Sequence, residues 1–418
     1  MRSIYKNIIF QNLVINVFLV IFSYGLASLT GLASNAVFQP LKVAFLVYSM
    51  IKLYGKYNYD SVLKKTYIFS ALIIFSCFFS VNPVASLKRA TTLIFPLIYI
   101  GVSLKVLFNK YPYKTILDAI IVSIRWIYLI PSLSFFLFGG NLDEEDIYGE
   151  TIGAFVSNHY GWASFIYIMS HFYLLQNRRA KIVSVWTLFL IANLGLLIIS
   201  GSRSSLLSLF IGVLIWLLFK RGNFMFKAMA IFILLILSTT ISNPDSALSK
   251  RINKTKYQIE STKGVKGDDY LLNSAENVDA RIASRSIGVI IFERNPQLYF
   301  TGQGIFQFKE AIQKYMPSIS VEYFKSGIHN SYLEIYFGCG VLVFIYFIWY
   351  FTIKPLSIYY KHLKDSLHMY LGVVIIIPFF ESNITGGQFL FFPWFILVFF
   401  MLYVGKLYYK KTIKKYGK

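Results

Sequence analysis

The stretch NRRAKIVSVWTLFLIANLGLLIISGSRSSLL, residues 177–207, decides the fold class. A basic cluster, Asn177 to Lys181, leads into an apolar run that starts near Ile182 and ends in a small-residue turn around Ser200. Such a run is long enough to cross a hydrocarbon core at roughly 20 residues per span. Comparable runs recur from near the N-terminus to near the C-terminus, each broken by short basic clusters. That repetition is the signature of a membrane protein built from helices.

Composition agrees. The chain is 56% hydrophobic and only 14% charged, outside the range of a soluble globular domain. A formal net charge of +22 raises the question of nucleic acid, and the location of the charge answers it. Lysines and arginines gather at the ends of apolar segments and in the tail after Gly405, which is how a chain sets its topology, so no nucleic-acid partner is expected. Cys77 and Cys339 lie inside apolar segments and offer neither a disulfide framework nor a metal-binding spacing. With no DxD, HExxH or phosphate-binding glycine loop, the sequence calls for no metal and no cofactor.

Segmentation predicts an all-α, multi-pass protein with about twelve spans, starting near residues 8, 36, 66, 91, 116, 154, 182, 204, 224, 329, 365 and 386. The first of these follows Met1 to Asn7 and is too long for a secretory h-region, so it reads as a retained helix. Residues 1–241 hold spans one to nine, 242–328 form a large hydrophilic loop, and 329–418 hold the last three spans and a basic tail. The positive-inside rule puts both termini in the cytoplasm and the large loop outside, with Lys88, Arg89 and Arg203 in short outer loops. Within the large loop, Val278 to Glu293 reads as a helix starting near Asp279 and stopping before Pro296. Pro96, Pro131, Pro378 and Pro393 fall inside predicted spans, as kinks around a polar cavity or as ordinary helix bends.

Chemistry is sought on the outer side. Arg203 sits among Gly201, Ser202, Ser204 and Ser205 at the start of a span. It reads as an interfacial anchor or as a phosphate ligand, since small neighbours and a helix N-terminus both suit an anion. Arg281 and Arg285 are spaced i, i+4 on the loop helix, with Gly288 one turn further along the same face; a solvated face is the alternative to an anion site. His329 opens the tenth span in the run Gly327 to Leu333 and is either a cap or a base for a sugar hydroxyl. Asp143 to Asp146 reads as a solvated acidic run or a contact to sugar. Arg125, His171 and Glu334 lie in or near apolar spans and need partners the sequence does not name.

These residues resemble the O-antigen ligase and O-antigen polymerase superfamily of bacterial membrane glycosyltransferases. Arg203 followed by Leu207 is similar to the family's span-opening arginine motif. Arg281, then Pro296 and Gly302-Gln303-Gly304, resembles its loop arginine motif, with Arg285 as an additional charge. His329, Asn330 and Gly340 reproduce its motif of His-Asn, nine residues and Gly. Asn82-Pro83 with Lys88-Arg89 is similar to an outer-loop pattern in such proteins.

The resemblance implies a GT-C-like architecture in the bacterial inner membrane with the active site facing the periplasm. It implies inverting, metal-independent transfer of a glycan from undecaprenyl diphosphate. Arg203 and Arg281 would hold the diphosphate, joined by Arg285, Lys88 and Arg89, and His329 would be the base. The acceptor would be another glycan, giving a polymerase, or the lipid A core, giving a ligase. Membrane lipid and a chain-length regulator are further implied partners. A transporter of the same lipid-linked glycan is the rival from another class; it needs no base and gains little from a large outer loop.

Overall fold

The computed structural model describes residues 2–30, 34–58, 60–138, 151–152, 155–176, 184–200, 205–206, 208–210, 231, 235, 280–317, 331–362 and 388–416. Among them the helices are α1 (Arg2–Tyr5), α2 (Ile8–Thr30), α3 (Ser34–Ile51), α4 (Ser61–Cys77), α5 (Pro83–Lys110), α6 (Tyr113–Phe138), α7 (Ser157–Gln176) and α8 (Val185–Ile199). After these come α9 (Ala280–Arg294), α10 (Leu298–Thr301), α11 (Phe308–Tyr315), α12 (Ser331–Phe347), a π-helical turn (Ile348–Ile353), α13 (Lys354–His362) and α14 (Gln388–Tyr416). A two-residue antiparallel pair, Thr151–Ile152 (β1) with Phe155–Val156 (β2), precedes α7.

The protein is helical, as the apolar periodicity predicts. Pro83–Lys110, Tyr113–Leu137 and Tyr332–Lys361 are each long and apolar enough to cross a membrane, and shorter apolar helices such as Ile8–Phe22, Val185–Ile199 and Trp394–Tyr409 accompany them. Large apolar side chains on the outside of the bundle, among them Phe75, Leu188, Leu342 and Ile345, suit lipid as the surrounding solvent. The span expected near 365 lies outside the described residues, as does nearly all of those near 204 and 224.

Two helix starts differ from the sequence reading for a local reason. Asp60 Oδ1 accepts from the main-chain N–H of Val62 and Leu63 at 2.8 and 2.9 Å, so α4 begins at Ser61 rather than near 66. Asn82 Oδ1 accepts from Ala85 N at 3.1 Å with Pro83 in the first turn, so α5 begins well before 91. Lys88 and Arg89, placed by sequence in a loop, are therefore on the second turn of α5. The buried face of α5, Ser86, Ala90, Leu93, Ile94, Leu97 and Ile100 among others, recurs every three or four residues and joins the main core.

The bundle has two polar ends. At one, Lys406 Nζ lies 3.1 Å from Asp60 Oδ2, Tyr403 OH donates to the same oxygen, and Lys105 Nζ donates to the carbonyls of Lys56 and Asn58. At the other, the turn between α4 and α5 meets the segment from α10 to α11 and the first half of α12. A second, smaller apolar cluster sits there, formed by Ile287, Ile291 and Phe292 of α9 with Leu298, Phe308, Ile312, Met316 and Phe337.

Helix α12 is interrupted inside that end. Gly340 has φ +81 and ψ 173, a conformation open to glycine and costly to other residues. An interruption leaves carbonyls of the preceding turn without helical partners. Phe337 O and Gly338 O instead accept from the main-chain N–H of Gln303 and Gly304, at 2.8 and 3.0 Å. The fit leaves no room for a side chain. A Cβ on Gly340 would stand 2.1 Å from Phe300 O, and one on Gly302 (φ +74) would stand 2.4 Å from Gly338 O.

Gly340→Ala should therefore destabilise the protein by on the order of 2 to 4 kcal/mol. Thermal unfolding of the purified protein reads this directly. Gly195→Ala, whose Cβ meets nothing within 4 Å, should stay within about 1 kcal/mol of wild type. Equal stability of the two variants would contradict the packing described.

Candidate functional site

The turn joining α10 to α11 is the centre of the second polar end. Gln303 O accepts from Val81 N at 2.9 Å, and Ile305 N donates to Ser86 Oγ at 3.2 Å. Gln307 closes a reciprocal pair with Asn82: its Oε1 accepts from Asn82 N at 2.9 Å and its Nε2 donates to Asn82 O at 2.6 Å. These bonds join positions more than 200 residues apart in sequence. Gln303 is fully buried, and neither side-chain amide atom has a hydrogen-bond partner among the described residues.

Charge is arranged around this turn. Arg89 Nη2 lies 2.8 Å from Glu310 Oε1 on α11, and Arg89 Nη1 donates to the carbonyl of Phe306. Glu334, buried in the first turn of α12, accepts from Phe306 N at 2.6 Å. Phe306, held from both sides, adopts φ +55, which is uncommon outside glycine. Lys88, beside Arg89 on α5, is exposed. The Arg89–Glu310 pair is about one-third exposed at both partners, so it positions the loop more than it stabilises the fold.

Arg281 and Arg285 fall on the first two turns of α9, close to the helix expected from sequence over 278–293. Helix α9 packs onto α11 and α12. Gly288, in the register of Arg281, is the point of close approach, where a Cβ would stand 2.9 Å from Phe337 Cε2. Phe292 meets Phe337 edge-on at 4.9 Å between centroids. Gly340 is the interruption of α12 itself. Arg203, Leu207, His329 and Asn330 lie outside the described residues, as do Asp143 to Asp146. Helix α12 begins at Ser331, two residues after His329.

Residues 187–348 match the family model described as O-antigen ligase. That segment is similar to an O-antigen ligase domain. It occupies less than half of the chain and supports the O-antigen ligase and polymerase superfamily, whose members are glycosyltransferase-like membrane enzymes. No curated protein and no solved structure matches the chain. The matched segment encloses Arg203, Leu207, Arg281, Arg285, His329, Asn330 and Gly340. Lys88 and Arg89 lie outside it, yet the fold attaches Arg89 to the segment through Phe306 and Glu310.

Two buried residues flagged by sequence find each other elsewhere. Arg125 Nη1 stands 3.4 Å from His171 Nδ1, and its guanidinium lies 4.5 Å from the Trp186 ring centroid. This pairing of α6, α7 and α8 is separate from the turn around Gln303. Sequence reasoning passes over Glu310 and Gln307, since nothing local marks a surface glutamate or glutamine whose partner is more than 200 residues away.

Truncating Glu334 to Ala orphans the Phe306 N–H and should cost roughly 1 to 3 kcal/mol, while Glu334→Gln keeps an acceptor and should cost clearly less. A double-mutant cycle on Arg89 and Glu310 should give about 1 kcal/mol or below. Chemical unfolding in detergent checks both, and a coupling larger than the Glu334→Ala loss would reverse the assignment.

Proposed function

We propose that this chain transfers a glycan from undecaprenyl diphosphate to an acceptor hydroxyl at the periplasmic face of the bacterial inner membrane. The observation that carries this reading is a convergence at one end of the bundle. Lys88 and Arg89 on α5, the arginine-bearing helix α9 and the start of α12 meet around one buried turn, and the O-antigen ligase match spans all but the first of these. That end is the periplasmic one in this reading, with the Asp60–Lys406 end and both termini in the cytoplasm. About twelve spans and the 242–328 loop complete the topology.

Arg203 and Arg281, with Arg285 beside it, hold the diphosphate by charge-assisted hydrogen bonds worth roughly 1.5 to 3 kcal/mol each. They stabilise it as the leaving group. His329 accepts the proton of the attacking hydroxyl, a contribution of about 10² to 10⁴ in rate. The hydroxyl oxygen bonds to the anomeric carbon as the bond to the diphosphate breaks, inverting that centre; no metal takes part. Arg89 is committed to Glu310 and the Phe306 carbonyl, so it aligns the loop behind α9, and exposed Lys88 is the freer cation for substrate.

A glycan acceptor, making the chain a polymerase, is preferred over the lipid A core, because the Gly327 to Gly340 stretch resembles polysaccharide polymerases. A transporter fits less well. The cation expected to line its path, Arg125, is instead packed against His171 and Trp186.

His329→Ala should abolish glycan transfer in membranes with protein level unchanged, and Arg203→Lys should be impaired although it keeps the charge. Polymer formation from lipid-linked repeats by the purified protein measures both. Full activity of His329→Ala would falsify the base assignment, and activity lost in Arg285→Ala but kept in Arg281→Ala would move the phosphate role by one helical turn.

A further inference from the structure

The end of the bundle opposite the candidate site holds a second cationic arrangement. Lys65 Nζ on α4 lies 4.6 Å from the Trp349 ring centroid and 5.8 Å from that of Tyr350. Lys354 Nζ, at the start of α13, lies 5.7 and 5.5 Å from the same two centroids. Both ammonium groups therefore lie against the same two rings.

The backbone explains how one lysine reaches both rings. Trp349 and Tyr350 lie in the π-helical turn Ile348–Ile353, where i→i+5 bonding brings residues five apart onto one face. Lys354 is five residues after Trp349 and four after Tyr350. Hydrogen bonds from Tyr350 OH to Val62 O (2.8 Å) and from Tyr346 OH to Lys65 O (2.9 Å) pin this turn to the start of α4.

Nothing acidic among the described residues neutralises the pair. Neither lysine makes an ion pair there. Of the described carboxylates at this end, Asp60 is already engaged by Val62 N, Leu63 N, Lys406 and Tyr403, and buried Asp118 accepts from Tyr173 OH at 3.0 Å. Lys64, next along α4, is exposed and adds charge of the same sign. Two ammonium groups facing one aromatic wall repel unless an anion sits between them.

We infer that Lys65 and Lys354, walled by Trp349 and Tyr350, bind the phosphate of an anionic phospholipid headgroup. A lipid is favoured over a soluble anion because the collar is apolar and exposed: Ile68 at 43%, Trp349 at 43% and Ile353 at 53%. Acyl chains cover such a collar; a free phosphate does not. Lys354 also lies toward the end of the apolar span Tyr332–Lys361, and span ends are where basic side chains meet anionic headgroups. Lys354 follows Glu334 by 20 residues, beyond α12 and the π-helical turn, so this site is distinct from the glycan-transfer site.

Thermal unfolding of the purified full-length protein, titrated in micelles with phosphatidylglycerol or phosphatidylcholine, tests the inference. Phosphatidylglycerol should stabilise the wild type and phosphatidylcholine should not. Lys65→Gln and Lys354→Gln should each weaken the phosphatidylglycerol effect roughly fivefold, and Lys65→Arg with Lys354→Arg should retain it. An undiminished phosphatidylglycerol effect in both glutamine variants overturns the site. A matching shift from inorganic phosphate alone overturns the lipid assignment.

Discussion

Main-chain hydrogen bonding at the interruption of α12 is the constraint on which the candidate site depends. A helix running unbroken through Gly340 would keep its carbonyls to itself. Broken there, it offers Phe337 O and Gly338 O to the Gln303–Gly304 turn, which then reaches Val81, Asn82 and Ser86 between α4 and α5. Three parts of the chain, near residues 82, 303 and 338, are thereby locked at one end of the bundle. In an apolar surrounding, irregular backbone survives only when its polar groups are satisfied internally, and here they satisfy one another.

The same turn arranges charge. Phe306 offers its carbonyl to Arg89 and its N–H to Glu334, so one residue with φ +55 links a cation on α5 to a buried carboxylate on α12. Gln303, buried with an unpartnered amide among the described residues, stands at the centre. A buried amide without partners is costly, and such groups are retained at functional positions more readily than in inert cores. Helix α9 leans on this assembly through Gly288 and Phe292, so the backbone positions of Arg281 and Arg285 depend on the same packing.

The two ends of the bundle use their cations differently. At the candidate site Arg89 is held by a carboxylate and a carbonyl, which fixes a loop. At the far end Lys65 and Lys354 rest on aromatic rings, and the described carboxylates there, Asp60 and Asp118, are engaged elsewhere. An aromatic wall attracts a cation without neutralising it, so charge remains for an external anion.

The helical character of the chain is legible in its residues alone. Apolar runs with basic flanks specify membrane helices because hydrocarbon offers the backbone no other partners. The loop helix carrying Arg281 and Arg285 is legible within about two residues, since its start and stop signals are local. Gly340 can be singled out by its spacing from His329, but only the structure shows that it breaks α12. Pairings across long separations, Arg89 with Glu310, Asn82 with Gln307 and Arg125 with His171, have no local signal. Among the described residues, sequence determined which segments are apolar helices, because period and hydrophobicity act within one segment. Tertiary structure decided which charges meet, because a contact between distant residues depends on how the helices pack.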